Sequence, residues 1–223
     1  MLGQFVEGGF VKKVIHATAV VAGFLFATVL LSGCLEVLHY VGSSPGGDVE
    51  VRVRMTFQKA PFSLAGAMMD GDTDEMFFSE EFGEIDQEFL SQLPAATEAS
   101  VLTVNTPYEF GFDAEFSYSG GVTRGTADDA PFALVRTPAG FEIAIPGGND
   151  DSGDDEMARA FLMSNKYRIV ISRSVLPSIR EAELVAPTET IVIDPIVLAD
   201  VVILEFPIYY WIASGGDLRV VIR

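Results

Sequence analysis

The sequence is poor in the residues that most often carry catalysis or cross-link a fold. It has a single cysteine, Cys34, and two histidines, His16 and His39, in 223 residues. One cysteine cannot form an intrachain disulfide and leaves no second thiolate for a zinc site. If the residues before Cys34 are removed, His39 is the only histidine left, which excludes a two-histidine metal site. It lies five residues from Cys34, where we expect a linker.

Positive charge is also scarce. The chain has 14 lysines and arginines against 32 aspartates and glutamates, and its formal net charge is −18 at pH 7. A surface of this sign repels nucleic acids and anionic head groups, and no basic cluster offsets it. We therefore expect no nucleic-acid partner.

The only cysteine closes a long apolar segment. Lys12 and Lys13 precede that segment, and Leu31-Ser32-Gly33-Cys34 ends it. This order of charged, apolar and small residues before a cysteine resembles the lipobox of bacterial lipoproteins. The resemblance implies that residues 1–33 are a removed signal peptide and that Cys34 carries the lipid, which places the protein at the cell membrane. Because Leu35 rather than an aspartate follows, the resemblance favours the outer membrane.

Two apolar stretches raise the question of membrane-spanning helices. The stretch 14–31 is just long enough to span a bilayer, so an uncleaved anchor is the alternative to a signal peptide. The stretch 191–213 contains Asp194, Asp200 and Glu205. Acidic residues near the bilayer centre cost up to about 3 kcal/mol each, so we expect buried strands there.

The remaining residues predict one folded domain. Residues 34–47 would form a lipidated tether or a short first strand, and residues 48–223 are long enough for a single ectodomain with a sizeable core. Apolar residues alternate strictly from Val49 to Phe57, which predicts an amphipathic strand. Similar patterns predict strands at 100–105, 108–118, 132–136, 141–145, 166–173, 190–193, 198–206 and 218–222. Helical spacing predicts helices at 60–69, 84–93 and 154–164. The predicted fold class is α+β, a mostly antiparallel, curved β-sheet with two or three helices packed on it.

One acidic segment has the spacing of a calcium loop. Asp70, Asp72, Asp74 and Glu81 occupy positions one, three, five and twelve of an EF-hand loop. Position six, where the turn requires glycine, is Glu75. The alternative is a solvated acidic loop between two helices, and the prediction is no cofactor, with calcium as the one candidate. The acidic run 149–156 could also hold a cation, but it has no fixed spacing.

The strand 108–118 carries an unusually aromatic face. Its large members are Tyr108, Phe110, Phe112, Phe116 and Tyr118. These side chains could line an apolar cavity for a lipid, which would suit a lipid-anchored domain. They could equally fill the core, which is the commoner role of aromatic side chains that alternate along a strand.

The layout of the chain resembles a known lipoprotein module. A lipobox, a glycine-rich turn, an alternating strand, an acidic insertion ending in Phe89-Leu90-Ser91-Gln92-Leu93-Pro94 and an aromatic strand follow one another, as in the mycobacterial LppM-type lipoprotein domain. The resemblance covers about residues 34–120 and implies an α/β module linked to glycolipid binding. It assigns no binding residues, and the C-terminal transmembrane helix usual in that family is not found here.

These observations favour a lipid-anchored cell-envelope protein that is not an enzyme and acts as a binding or structural module, with a lipid or glycolipid as its candidate ligand. A calcium-dependent surface adhesin is the first alternative. A hydrolase that uses paired carboxylates is the second, although no two acids have a spacing that indicates such a pair.

Overall fold

The computed structural model describes residues 35–60, 93, 99–119, 126–147, 156–213 and 215–223. In these ranges the strands are β1 (Leu35–Ser43), β2 (Val49–Gln58), β3 (Ala99–Asn105), β4 (Glu109–Tyr118), β5 (Val135–Thr137), β6 (Gly140–Ile145), β7 (Lys166–Ser172), β8 (Ala182–Val185), β9 (Thr190–Ile193), β10 (Ile196–Val197), β11 (Val201–Pro207) and β12 (Leu218–Ile222). The helices are α1 (Glu156–Ser164) and α2 (Tyr209–Ile212).

The larger sheet has seven strands in the order β10-β11-β7-β1-β2-β4-β3. Its first strand, β1, lies in the middle, where it pairs antiparallel with β2 and parallel with β7. The other strand pairs of this sheet are antiparallel. The residues next to Cys34 therefore belong to the centre of the fold.

The smaller sheet has five strands in the order β5-β6-β12-β8-β9, and its strand pairs are antiparallel. Because β12 pairs with both β6 and β8, the last strand of the chain occupies the centre of this sheet.

Both sheets turn their apolar side chains towards one shared core. Along β1 and β2 the burial alternates with the sequence, so that one face of each strand is buried and the other is largely accessible. Strands β7 and β11 follow the same pattern, as do β8 and β12 of the smaller sheet. The buried side chains of the two sheets form a single hydrophobic cluster. Burial of these side chains holds the two layers together.

The helices are short and lie at one end of the larger sheet. Helix α1 precedes β7 and buries Leu162 in the core, while α2 follows β11 directly. The two helices contact each other and β11. Among the described residues, no helix is long and apolar enough to cross a membrane.

The structure confirms the sheet-rich, mostly antiparallel character and corrects two details. Two open sheets replace the single predicted sheet, because alternation along a strand shows its two faces but not which strands pair with it. The four-residue strand β8 was not predicted. Of the three predicted helices, the described residues contain only one, together with the short helix α2, which was not predicted. The predicted helix 154–164 is present as Glu156–Ser164, whereas the predicted helices 60–69 and 84–93 lie almost entirely outside the described residues.

Candidate functional site

The aromatic face of β4 lies mainly in the core. Phe112 is 2% exposed and Phe116 is 5% exposed, and both belong to the hydrophobic cluster shared by the sheets. Phe110 is also buried and stacks on Phe57 with 4.9 Å between ring centroids. Phe116 meets Phe132 edge to face at 6.2 Å. These rings contact other side chains, as expected of core residues.

The two tyrosines of the predicted aromatic face are less buried than these rings, although Tyr118 still meets Phe116 edge to face at 5.8 Å. Tyr118 is half-buried and donates its hydroxyl hydrogen to the carbonyl oxygen of Pro131 at 3.0 Å. Tyr108 precedes β4 and is 81% exposed. The five predicted residues thus divide into three buried phenylalanines and two tyrosines with different surroundings.

The other predicted site residues lie outside the described residues. This holds for Cys34 and for the calcium-loop candidates Asp70, Asp72, Asp74 and Glu81. The acidic run 149–156 is likewise outside, except for Glu156. Within the described ranges, no group of three or more histidine, cysteine, aspartate or glutamate side chains is placed to hold a metal ion.

His39 is buried in the core, so the interpretation of this residue as part of a linker was wrong. It points to the inner face of β1 together with Val37 and Val41, and it is 0% exposed. Its Nε2 lies 2.6 Å from the carbonyl oxygen of Phe132, and its Nδ1 lies 3.2 Å from the hydroxyl of Tyr167. A neutral ring satisfies both contacts when Nε2 donates to the carbonyl and Nδ1 accepts from the tyrosine.

The surroundings keep His39 neutral. Burial lowers its pKa to about 4, although the hydrogen bond to Phe132 acts in the opposite direction. Burial also raises the pKa of Tyr167, which keeps the phenol protonated and able to donate. The signal for this role was present in the sequence, because His39 occupies an inward position in the alternation Leu35, Val37, His39, Val41.

The partner of His39 has an unusual backbone. Phe132 has a φ angle of 65°, a region that a residue with a bulky side chain rarely adopts. Its N–H donates to the carbonyl of Ala144 at 2.7 Å, and its carbonyl receives the histidine hydrogen bond. The ring of Phe132 is completely buried. The hydrogen bonds and packing together hold a conformation that is unfavourable by itself.

An open groove of about 660 Å³ lies at the end of β1 and β2 away from Leu35. Its polar lining residues are Tyr40, Glu50, Arg52, Ser100, Glu115 and Ser117. The ring of Tyr40 lies against Gly42, where an added Cβ would come within 2.7 Å of the ring carbons. A glycine at this position therefore allows the ring to lie along the strand and form one wall of the groove.

Arginine side chains connect the carboxylates on the outer face of the larger sheet. Arg52 donates two hydrogen bonds to Asp113, at 2.8 Å and 2.6 Å, and lies 3.2 Å from Glu115. Arg54 contacts Glu109 at 2.6 Å. The β2–β4 register causes these contacts, because it sets Arg52 opposite Glu115 and Arg54 opposite Asp113. The hydrogen bond to Asp113 is the main cause of a raised pKa for Arg52.

This arrangement is suited to hydrogen bonding with a polar ligand. The groove offers carboxylates, hydroxyls and a tyrosine ring on one open surface, and such groups can bind the hydroxyls of a sugar or a small cation. His39 is enclosed and cannot reach a ligand in the groove.

The sequence analysis did not predict this groove, because its residues come together only through the pairing of β1, β2, β3 and β4.

Comparison with known proteins adds no further assignment. No family model matches the chain, and neither a curated protein nor a solved structure shows significant similarity to it.

Proposed function

We propose that this chain is a lipid-anchored protein of the bacterial cell envelope and that its folded part is a non-catalytic binding or structural module. The observation that carries the proposal is the junction between the lipobox and the fold. Cys34 directly precedes Leu35, where the central strand β1 begins. Cleavage before Cys34 would leave every described strand intact, and acyl chains on Cys34 would then hold the domain at the membrane.

The surroundings of the carboxylates support a non-catalytic role. A carboxylate pair that hydrolyses a glycosidic bond needs one member that stays protonated near neutral pH, which usually requires an apolar pocket. In the groove, Glu115 is 60% exposed and ion-paired with Arg52, and Glu50 is also exposed. Neither carboxylate has the buried environment of a general acid.

The ligand class that the geometry supports is the polar head group of a glycolipid. The rings of β4 that could have lined an acyl-chain cavity pack within the core, whereas the groove presents hydrogen-bonding groups beside the ring of Tyr40. The resemblance in layout to the LppM-type domain suggests the same class.

Lipid anchoring is tested by metabolic labelling with a palmitate analogue in a bacterial host. We expect label on the native protein and none on the Cys34→Ala variant, which should accumulate as an uncleaved precursor. Label on the variant would show that acylation does not use Cys34.

The ligand class is tested by native mass spectrometry of residues 35–223 after incubation with a bacterial lipid extract. We expect an adduct with the mass of a glycolipid, its loss in Tyr40→Ala and its retention in the matched control Tyr108→Ala. An adduct that survives Tyr40→Ala would place the ligand elsewhere. No adduct would leave a structural module as the function.

A further inference from the structure

No linker separates Cys34, the proposed attachment point of the lipid, from the first strand of the fold. Leu35 is 2% exposed, and its N–H donates to the side-chain oxygen of Asn165 at 3.2 Å. Adjacent Cα atoms are about 3.8 Å apart, so a lipid on Cys34 would hold this end of β1 directly against the bilayer. We refer to the end of the larger sheet where β1 begins as the anchor end. The inference below rests on the proposed acylation of Cys34.

Strand pairing shows which residues share the anchor end. Leu35 pairs with Phe57 near the end of β2, and Lys166, the first residue of β7, pairs with Pro207, the last residue of β11. The start of β4 lies at the same end, because Gln58 pairs with Glu109. The residues just beyond these strand ends are Lys59, Tyr108 and the helix α2, Tyr209–Ile212.

The composition of the anchor end is distinctive. Lys59 and Lys166 are the only lysines after Lys13, and Trp211 is the only tryptophan of the chain. Tyr209, Tyr210 and Trp211 are partly exposed, and Tyr108 is 81% exposed. Both of these lysines and the exposed or partly exposed Tyr108, Tyr209 and Tyr210 thus lie where the chain leaves Cys34, whereas Tyr40 and Tyr118 lie towards the other end of the sheet.

These side chains have the properties of residues found at a membrane interface. Tyrosine and tryptophan have an apolar ring with a polar group, and they are enriched at the level of lipid head groups. Lysine can place its aliphatic chain along an apolar surface and keep its ammonium group in water. Met163 of α1 adds an exposed apolar side chain, and the guanidinium of Arg159 lies 5.2 Å from the centre of the Tyr209 ring.

We propose that the anchor end is a membrane-contact surface that lies on the bilayer holding the acyl chains of Cys34. In this orientation α2, Tyr108 and the two lysines meet the head groups. The partner is a zwitterionic phospholipid surface, because a chain with a formal charge of −18 is repelled by an anionic one. The hairpin between β10 and β11 then points away from the membrane, with Leu198 one length of β11, about 20 Å, from the anchor end.

Trp211 provides a direct test, since it is the only tryptophan. The full-length protein, processed and acylated in a bacterial host, is reconstituted into phosphatidylcholine vesicles whose acyl chains carry bromine near the head group. We expect the emission of Trp211 to fall about twofold relative to vesicles without bromine, as for an indole at the interface. In the matched control Trp211→Phe/Leu198→Trp, the new tryptophan should keep its emission.

A second reporter covers the opposite side of the anchor end. In Trp211→Phe/Tyr108→Trp, the substituted position is largely exposed, and we expect quenching like that of Trp211. If the Trp211→Phe background does not fold, the native protein still gives the first result.

Flotation of the vesicles separates the possible failures. Protein that does not float with the vesicles lacks the lipid anchor, which overturns the proposed function and this inference together. Protein that floats while Trp211 remains unquenched is anchored in another orientation, which overturns this inference alone. Equal quenching at positions 211 and 198 would also overturn it.

Discussion

The two faces of the seven-stranded sheet hold their polar groups in opposite ways. On the inner face, His39 is completely buried and has two fixed partners, Tyr167 and the carbonyl of Phe132. On the outer face, Arg52 and Arg168 form ion pairs while 49% and 39% of their side chains remain exposed.

The difference shows how the surroundings determine the energetic weight of a polar contact. A buried donor or acceptor that loses its partner cannot turn to water, so the loss costs about 1–3 kcal/mol. A half-exposed ion pair exchanges protein contacts for water and contributes up to about 1 kcal/mol. A few inner contacts should therefore matter more for stability than the more numerous outer ones.

A charge introduced on the inner face should have the largest effect. In Phe112→Asp, a side chain that is 2% exposed becomes a carboxylate in an apolar core. Loss of a buried phenylalanine alone costs about 3–5 kcal/mol, and the buried charge adds to this, which approaches the whole stability of a typical domain. We expect no cooperative thermal transition by circular dichroism.

Tyr108→Asp is the matched control for Phe112→Asp. It introduces the same charge just before the same strand, but at a position that is 81% exposed. Its melting temperature should stay within a few degrees of the native value. A folded Phe112→Asp protein with a near-native melting temperature would show that Phe112 does not fill the core.

The next largest effect should come from the titration of His39. Burial lowers its pKa from 6.5 to about 4, so the unfolded chain takes up a proton at a higher pH than the folded protein. The stability that this difference provides is complete above pH 6.5 and is lost as the pH falls towards 4. The loss should be about 3 kcal/mol, measured as the free energy of unfolding in urea at pH 7 and pH 4.

His39→Gln isolates this contribution. Glutamine can donate to the carbonyl of Phe132 but does not titrate in this range. The variant should be less stable at pH 7, and its stability should fall less between pH 7 and pH 4 than that of the native protein. An equal fall in both proteins would assign the acid sensitivity to other groups.

Particular residues show what the sequence could and could not predict. The alternation from Val49 to Phe57 predicts β2 because each inward residue is apolar, and the structure confirms the strand as Val49–Gln58. The helix predicted at 154–164 is likewise confirmed within the described residues, as Glu156–Ser164.

Contacts between distant residues could not be predicted. The partners of His39 are 93 and 128 positions away, and no local pattern indicates either of them. The groove and the ion pairs depend on the register of β2 against β4, which joins Arg52 to a carboxylate 61 residues away. A single sequence shows the faces of each strand but not which strands become neighbours.

The smallest effects should come from the outer face, where two arginines can be compared. Arg52 makes a double hydrogen bond to Asp113, a side chain that is only 7% exposed, whereas Arg168 binds Glu205 at 2.6 Å and Glu36 at 3.4 Å. Arg52→Ala should lower the free energy of unfolding by about 1–2 kcal/mol, because it leaves a largely buried carboxylate with weaker contacts. Arg168→Ala should cost about 0.5 kcal/mol, the value typical of exposed pairs.

Neutralising Asp113 separates two energies: the cost of leaving its carboxylate buried without Arg52, and the attraction between Asp113 and Arg52. Asp113→Asn keeps the shape of the side chain without its charge, so the double variant Arg52→Ala/Asp113→Asn should recover part of the stability lost in Arg52→Ala. Urea unfolding of both single variants and the double variant gives the coupling between the two residues. Strictly additive losses would mean that solvent screens this pair as fully as that of Arg168, and the outer face would then be uniform in its energetics.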